Sequence, residues 1–139
     1  MIRLEHINLV VKDITASLNF YQSVFPEWKV RDSGSAEWSG KPRDWVHFGD
    51  DSTFLTLNNN AETVARDLLG HQAGIAHFAF EINNIKALQQ RLEAAGFQHR
   101  TRGEDNPFRH NIYYIDPDGN EVEFVQYFSD LFEERNSTV

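Results

Sequence analysis

The chain has 139 residues, 40% hydrophobic and 13% aromatic, with no cysteine and a formal net charge of -8. That size and apolar share suit a single packed domain, while the acidity excludes a partner built on phosphate backbone or an anionic membrane, which requires a basic face. The missing cysteines exclude disulfides, thiolate zinc sites and cysteine nucleophiles, and no apolar run approaches the roughly 20 residues of a membrane span.

Residues 4–11 read as a strand, entered at once and without a signal-peptide hydrophobic region, which points to a cytoplasmic protein. Ile7, Leu9 and Val11 mark its apolar face and His6 the other. Asp13 is placed to cap a helix, on which Ile14, Leu18, Tyr21 and Phe25 form an amphipathic stripe before Pro26 stops it. A second strand starts at residues 28–30. Residues 33–41 carry two Gly and two Ser and read as a loop. Residues 44–48 and 53–57 read as two strands joined through Gly49-Asp50-Asp51, and residues 59–72 as a linker. In that linker Asn60 caps a helical turn or two carrying Val64, Leu68 and Leu69, which Gly70 ends.

The pattern then restarts. Residues 75–82 read as a strand whose apolar set is Phe78, Phe80 and Ile82, with His77 on the other face. Asn84 caps a helix with Ile85, Leu88, Leu92 and Ala95 buried, and Gly96 ends it. Residues 97–101 form a strand and residues 102–108 a polar loop. Residues 111–116 and 120–126 make a hairpin around Asp116-Pro117-Asp118-Gly119, where Pro117 presets φ and Gly119 tolerates a positive φ. Residues 129–135 form a short terminal helix presenting Leu131 and Phe132, and the last residues fray. His6 precedes Ile14 by eight residues and His77 precedes Ile85 by eight, so strand, helix and three strands occur twice.

Past the hairpin turn, Val122 and Phe124 point one way and Glu121 and Glu123 the other. A strand histidine or glutamate taken singly is a structural or solvated residue. Two histidines and a carboxylate, each projecting from the polar face of a strand, suit one divalent cation, because imidazole and carboxylate together bind Fe, Mn, Ni, Zn or Co and leave positions open. His6, His77 and Glu123 are therefore the candidate metal ligands. A nearby tyrosine or histidine suits general acid–base work, which singles out Tyr113 and His110 beside Glu123 as catalytic candidates. Trp45, His47, Arg109 and Tyr114 are candidates for lining a substrate cavity. Of Tyr113 and Tyr114, alternation sends one to the cavity and one to the core.

The segments Leu4-Glu5-His6-Ile7-Asn8-Leu9-Val10-Val11, Asn19-Phe20-Tyr21, His77 and Asp116-Pro117-Asp118-Gly119-Asn120 followed by Glu123 resemble the vicinal oxygen chelate superfamily. That group includes glyoxalase I, extradiol dioxygenases, fosfomycin-resistance enzymes and bleomycin-resistance proteins. The resemblance spans about residues 2–128. It implies an α+β fold of two βαβββ modules, about residues 2–58 and 73–128, forming a curved mixed sheet around a metal cavity, with residues 129–139 as a tail. It also implies one divalent ion held by His6, His77 and Glu123, a small-molecule substrate chelated through adjacent oxygens, and a homodimer. Glyoxalase I draws a fourth ligand, a glutamate, from the last strand of its first module. Residues 53–57 contain no carboxylate, so the three-ligand set is more similar to the fosfomycin-resistance and dioxygenase branches. Two readings follow: a metal-dependent lyase, isomerase, dioxygenase or transferase, or a non-catalytic binder of the bleomycin-resistance kind.

Overall fold

The computed structural model of the chain describes residues 1–138. It divides into two compact units, Met1–Val64 and Ala65–Val139. The first carries β1 (His6–Val10), α1 (Ile14–Val24), β2 (Lys29–Trp38), β3 (Lys41–Gly49) and β4 (Phe54–Asn58). The second carries β5 (Phe78–Glu81), α2 (Ile85–Ala94), β6 (Thr101–Arg102), β7 (Arg109–Ile115), β8 (Glu121–Tyr127) and α3 (Phe132–Arg135). Each builds a mixed four-stranded sheet, in the orders β1-β4-β3-β2 and β5-β8-β7-β6. In both, the first strand lies parallel to the last and the remaining pairs are antiparallel. The fold is α+β with two βαβββ modules, as the sequence predicts. No helix among the described residues is long and apolar enough to cross a membrane.

Local chemistry explains the elements. The Asp13 carboxylate accepts from the Thr15 and Ala16 amides and starts α1, and Asn84 accepts from the Ala87 amide and starts α2. The Asp116 carboxylate accepts from the Asp118 and Asn120 amides, both at 2.9 Å, and Gly119 takes φ 91°. This closes the β7–β8 turn and fixes the register of β8. Asp50 does the same between β3 and β4, and the amides of Ser52 and Thr53 hold its carboxyl below the usual range. Helix α1 buries Ser17, Phe20, Tyr21 and Val24, a face rotated from the expected stripe. Helix α2 buries Ile85, Leu88 and Leu92, but Ala95 is exposed.

Several expectations are corrected. Residues 33–41 are no loop: β2 and β3 form one long ribbon in which Trp38 faces Lys41. Ser39 and Gly40, with φ of 49° and 81°, make the two-residue turn whose twist suits a hairpin. Gly34 is needed there because a Cβ would fall 2.8 Å from the Trp45 indole. No helix forms in residues 59–72; the Asp67 carbonyl and carboxylate merely close a turn onto Gly70 and Leu69. The strand expected over residues 97–101 shrinks to the two residues of β6. Strand β5 begins at Phe78, so His77 stands just before its ladder. The C-terminal residues expected to fray are tied down as far as Ser137, whose carbonyl accepts from Arg109 at 2.7 Å and Asn106 at 3.1 Å; Val139 lies outside the described residues.

In the second unit α2 packs against the β7–β8 face that carries Ile112, Tyr114, Val122 and Phe124, all at most 1% exposed. The Tyr114 hydroxyl is buried there without a hydrogen-bond partner, and burial pushes the phenol's pKa up. An unpaired buried hydroxyl costs about 1–3 kcal/mol. Tyr114→Phe is therefore expected to leave stability unchanged or raise it by about 1 kcal/mol in urea unfolding, instead of costing what a core substitution usually does.

Candidate functional site

Alternation along β7 and β8 separates two faces. Ile112 and Tyr114 join the core, whereas Asn111 and Tyr113 share the opposite face with Glu121 and Glu123. His77 reaches this polar face from beside β5. Its Nε2 lies 2.9 Å from Glu123 Oε2, and its Nδ1 lies 3.8 Å from Glu121 Oε1. The two glutamates are nearly covered, their side chains 13% and 12% exposed. Glu121 has its cation, an ion pair with Arg100. Glu123 has no Lys or Arg partner among the described residues. Its neighbours are the Asn111 amide, which donates to Oε1, the Tyr113 phenol and the His77 imidazole. A nearly buried carboxylate served only by neutral donors and a titratable ring is short of positive charge.

Tyr113 stands beside that carboxylate. Burial first, then the negative charge of Glu123, pushes its phenol up to about 12. The ring also meets His77 edge-on at 5.7 Å. The phenol thus stays protonated at neutral pH and can donate. A spectroscopic titration is expected to find one tyrosine ionising near 12, and Glu123→Gln to bring it down toward the ordinary value of 10.0. Because the folded value is the higher one, this group's contribution to stability is complete below about pH 10. It is lost as pH rises through about 12.

The residues suit a divalent ion. Two cis donors, each about 2.1 Å from a metal, stand roughly 3 Å apart, which matches the His77–Glu123 contact. Within neither unit, among the described residues, do three His, Asp or Glu side chains gather for one ion. His77 and Glu123 give the second unit an N,O pair. His6 stands on β1 opposite Phe54, its ring stacked on that phenylalanine at 4.7 Å and its Nδ1 3.0 Å from Glu5. On the same face of the first unit, His47 lies 4.7 Å from the Trp45 ring and 4.9 Å from Phe54, and Arg31 covers the Phe54 ring at 4.3 Å.

The two sheets match position by position. His6 faces Phe54 and Asn8 faces Thr56, while Ala79 faces Glu123, so His77 falls opposite Glu121. Thr56 is thus the counterpart of Glu123, and His47 the counterpart of Tyr113.

Two sequence candidates are corrected. Tyr114 is a core residue with 0% exposure and forms no part of a substrate wall. His110 shares the Ile112 and Tyr114 face by alternation and is exposed at the strand's far end, on the opposite side of β7 from Glu123. Arg109 stays on the Tyr113 face, but its guanidinium donates to the Arg135 and Ser137 carbonyls. Asn111, which orients Glu123, was not foreseen. Its signal was present, since it stands two residues before Tyr113 on the same face.

The glyoxalase/bleomycin resistance protein/dioxygenase superfamily model matches residues 3–124. A lactoylglutathione lyase of Neisseria meningitidis serogroup A is 34% identical over 131 residues, covering 89% of this chain and 90% of that protein. Among solved structures, a glyoxylase/bleomycin resistance protein/dioxygenase domain from Frankia sp. EAN1pec superposes with a TM-score of 0.74 at 19% identity, covering 99% of both chains. The fosfomycin resistance protein FosX of Listeria monocytogenes, complexed with Mn(II), superposes at 0.70 and 20% identity, covering 99% of this chain and 100% of that one. By the span of the family match and the likeness to the Neisseria protein, the chain belongs to the glyoxalase/bleomycin resistance protein/dioxygenase superfamily.

Proposed function

We propose that the chain is a divalent-metal-dependent lyase acting on adjacent oxygens of a small molecule, with the glutathione adduct of a 2-oxoaldehyde as substrate. His77, Glu123 and His6 are its metal ligands. The observation that carries the reading is the nearly buried Glu123 carboxylate, 2.9 Å from His77 and without a fixed cation. The Neisseria relative named lactoylglutathione lyase supports the choice of substrate. A bound divalent ion would supply Lewis acidity toward the two substrate oxygens.

The chain's own residues do the rest. Asn111 holds the Glu123 carboxylate in one rotation, leaving Oε2 toward His77. Tyr113, kept neutral, offers a proton to an oxygen bound beside Glu123. Glu121, engaged by Arg100, stands 3.8 Å from the far side of the imidazole. Trp45 and His47 supply an aromatic face on the first unit. The protein acts in this reading as a homodimer, checked by light scattering at micromolar concentration.

Thr56 at the register position of Glu123 favours a second reading, a three-ligand enzyme of the fosfomycin-resistance kind. Protein freed of metal and reloaded separately with Mn, Ni, Zn, Co or Fe distinguishes the two. Thioester formation from glutathione and methylglyoxal, lost in EDTA and restored by one of the ions, is the expected result. Opening of the fosfomycin epoxide without thioester formation transfers the assignment to the second reading. Ligand binding indifferent to EDTA, with neither reaction, leaves a sequestering protein.

A further inference from the structure

Arg66 is the converse of Glu123, a charge lacking its opposite. Its Nη2 donates to the Gly70 carbonyl at 3.0 Å, its Nε is buried without a partner, and no carboxylate pairs with it among the described residues. The side chain lines a cleft of about 300 Å³ that lies wholly within the second unit. Leu68, Ile75 and Phe78 give that cleft apolar walls, and His77 and Glu121 stand in its lining. Such a volume is at the lower end of the range for small-molecule sites, about 300–1,000 Å³.

We infer that this cleft is a carboxylate-binding subsite, in which Arg66 anchors the acidic end of the substrate while the rest of the molecule reaches His77. The inference rests on the reading of His77 as part of the reacting centre. A guanidinium with a buried, unsatisfied N–H costs stability until an acceptor arrives, and a carboxylate supplies one with matching charge and planar geometry. Glu121 does not compete for Arg66, because Arg100 already engages it. A singly charged end group fits better than a dianion. Among the described residues Arg66 is the one Lys or Arg in the cleft lining, and a second negative charge would face Glu121 uncompensated.

Hexanoate and its neutral isostere hexanamide are suitable probes, each titrated into the full chain with and without EDTA. Affinity is read by calorimetry, and the Arg66 Nε–H resonance by NMR. The expected result is hexanoate binding at least about ten-fold tighter than hexanamide, with the Arg66 resonance moving and EDTA making no difference. Arg66→Gln is expected to erase the preference, and Arg66→Lys to keep part of it. Equal affinity for acid and amide, binding of neither, or a preference that survives Arg66→Gln overturns the inference. The comparison within the wild-type chain decides the matter even if Arg66→Gln fails to fold. Because the probes need neither metal nor turnover, an acid preference alongside absent thioester formation removes the lyase reading and leaves the subsite standing.

Discussion

Glu123→Gln is expected to lower divalent-metal content after reconstitution from about one ion per chain to near background, a loss of affinity beyond about 100-fold. The amide keeps the volume of the carboxylate, and its carbonyl oxygen still accepts the hydrogen bond that Asn111 gives to Oε1. Folding should therefore survive while the negative charge disappears. His77→Ala removes the donor 2.9 Å away and should fall to the same level. Asn111→Leu touches no metal but frees the carboxylate to rotate, so it is expected to cost about 10–100-fold in affinity, between wild type and the ligand variants. Elemental analysis of the dialysed proteins reads all three. Equal metal content in wild type, Glu123→Gln and His77→Ala would eliminate the proposed centre and with it the lyase assignment.

The second large effect lies one residue along the same strand. Phe124 is fully buried on β8, with Phe80 at 6.2 Å and Tyr114 at 6.1 Å between ring centroids. Phe124→Ala is expected to cost about 3–5 kcal/mol, the price of lost apolar burial plus the cavity left behind. Since domain stabilities run at about 5–15 kcal/mol, the loss takes at least about a fifth of the margin. The His77–Glu123 pair depends on β8 holding its place, so metal affinity should fall together with the urea midpoint. Leu131→Ala, at a side chain 59% exposed, should change stability by less than about 0.5 kcal/mol. A Phe124→Ala midpoint matching that of Leu131→Ala would refute the assignment of this face as the core.

What was legible in the sequence was whatever short-range chemistry decides. Asp13, Asn84 and Asp116 each bind backbone amides within four residues, so their roles are written locally. Glu123 and His77 were legible because alternation assigns a face without knowledge of the partner strand. Residues 33–41 misled because Gly and Ser composition suggests a loop, whereas pairing of β2 with β3 and the Ser39-Gly40 turn decide the outcome. His110 misled because nearness in sequence to Tyr113 says nothing of side, and a shift of one residue reverses it. The Asn60 cap failed since Val64 and Leu69 stay exposed, and no buried stripe rewards a helix there. Asn111 and Arg66 did not stand out in the sequence because what sets them apart is which charges around them are paired, and pairing is a property of three dimensions.

The matched hydrogen-bond lattices of the two units carry a consequence for how such a protein changes. Thr56 and Glu123 occupy equivalent nodes, as do His47 and Tyr113, yet one half offers a hydroxyl and an imidazole where the other offers a carboxylate and a phenol. The scaffold therefore works as two interchangeable sockets, and exchanging a plug in one leaves the ladder, the helix contacts and the turn chemistry of both intact. Reactivity can drift by single side chains while architecture stands still, which accounts for one frame sheltering lyases and antibiotic-resistance proteins alike.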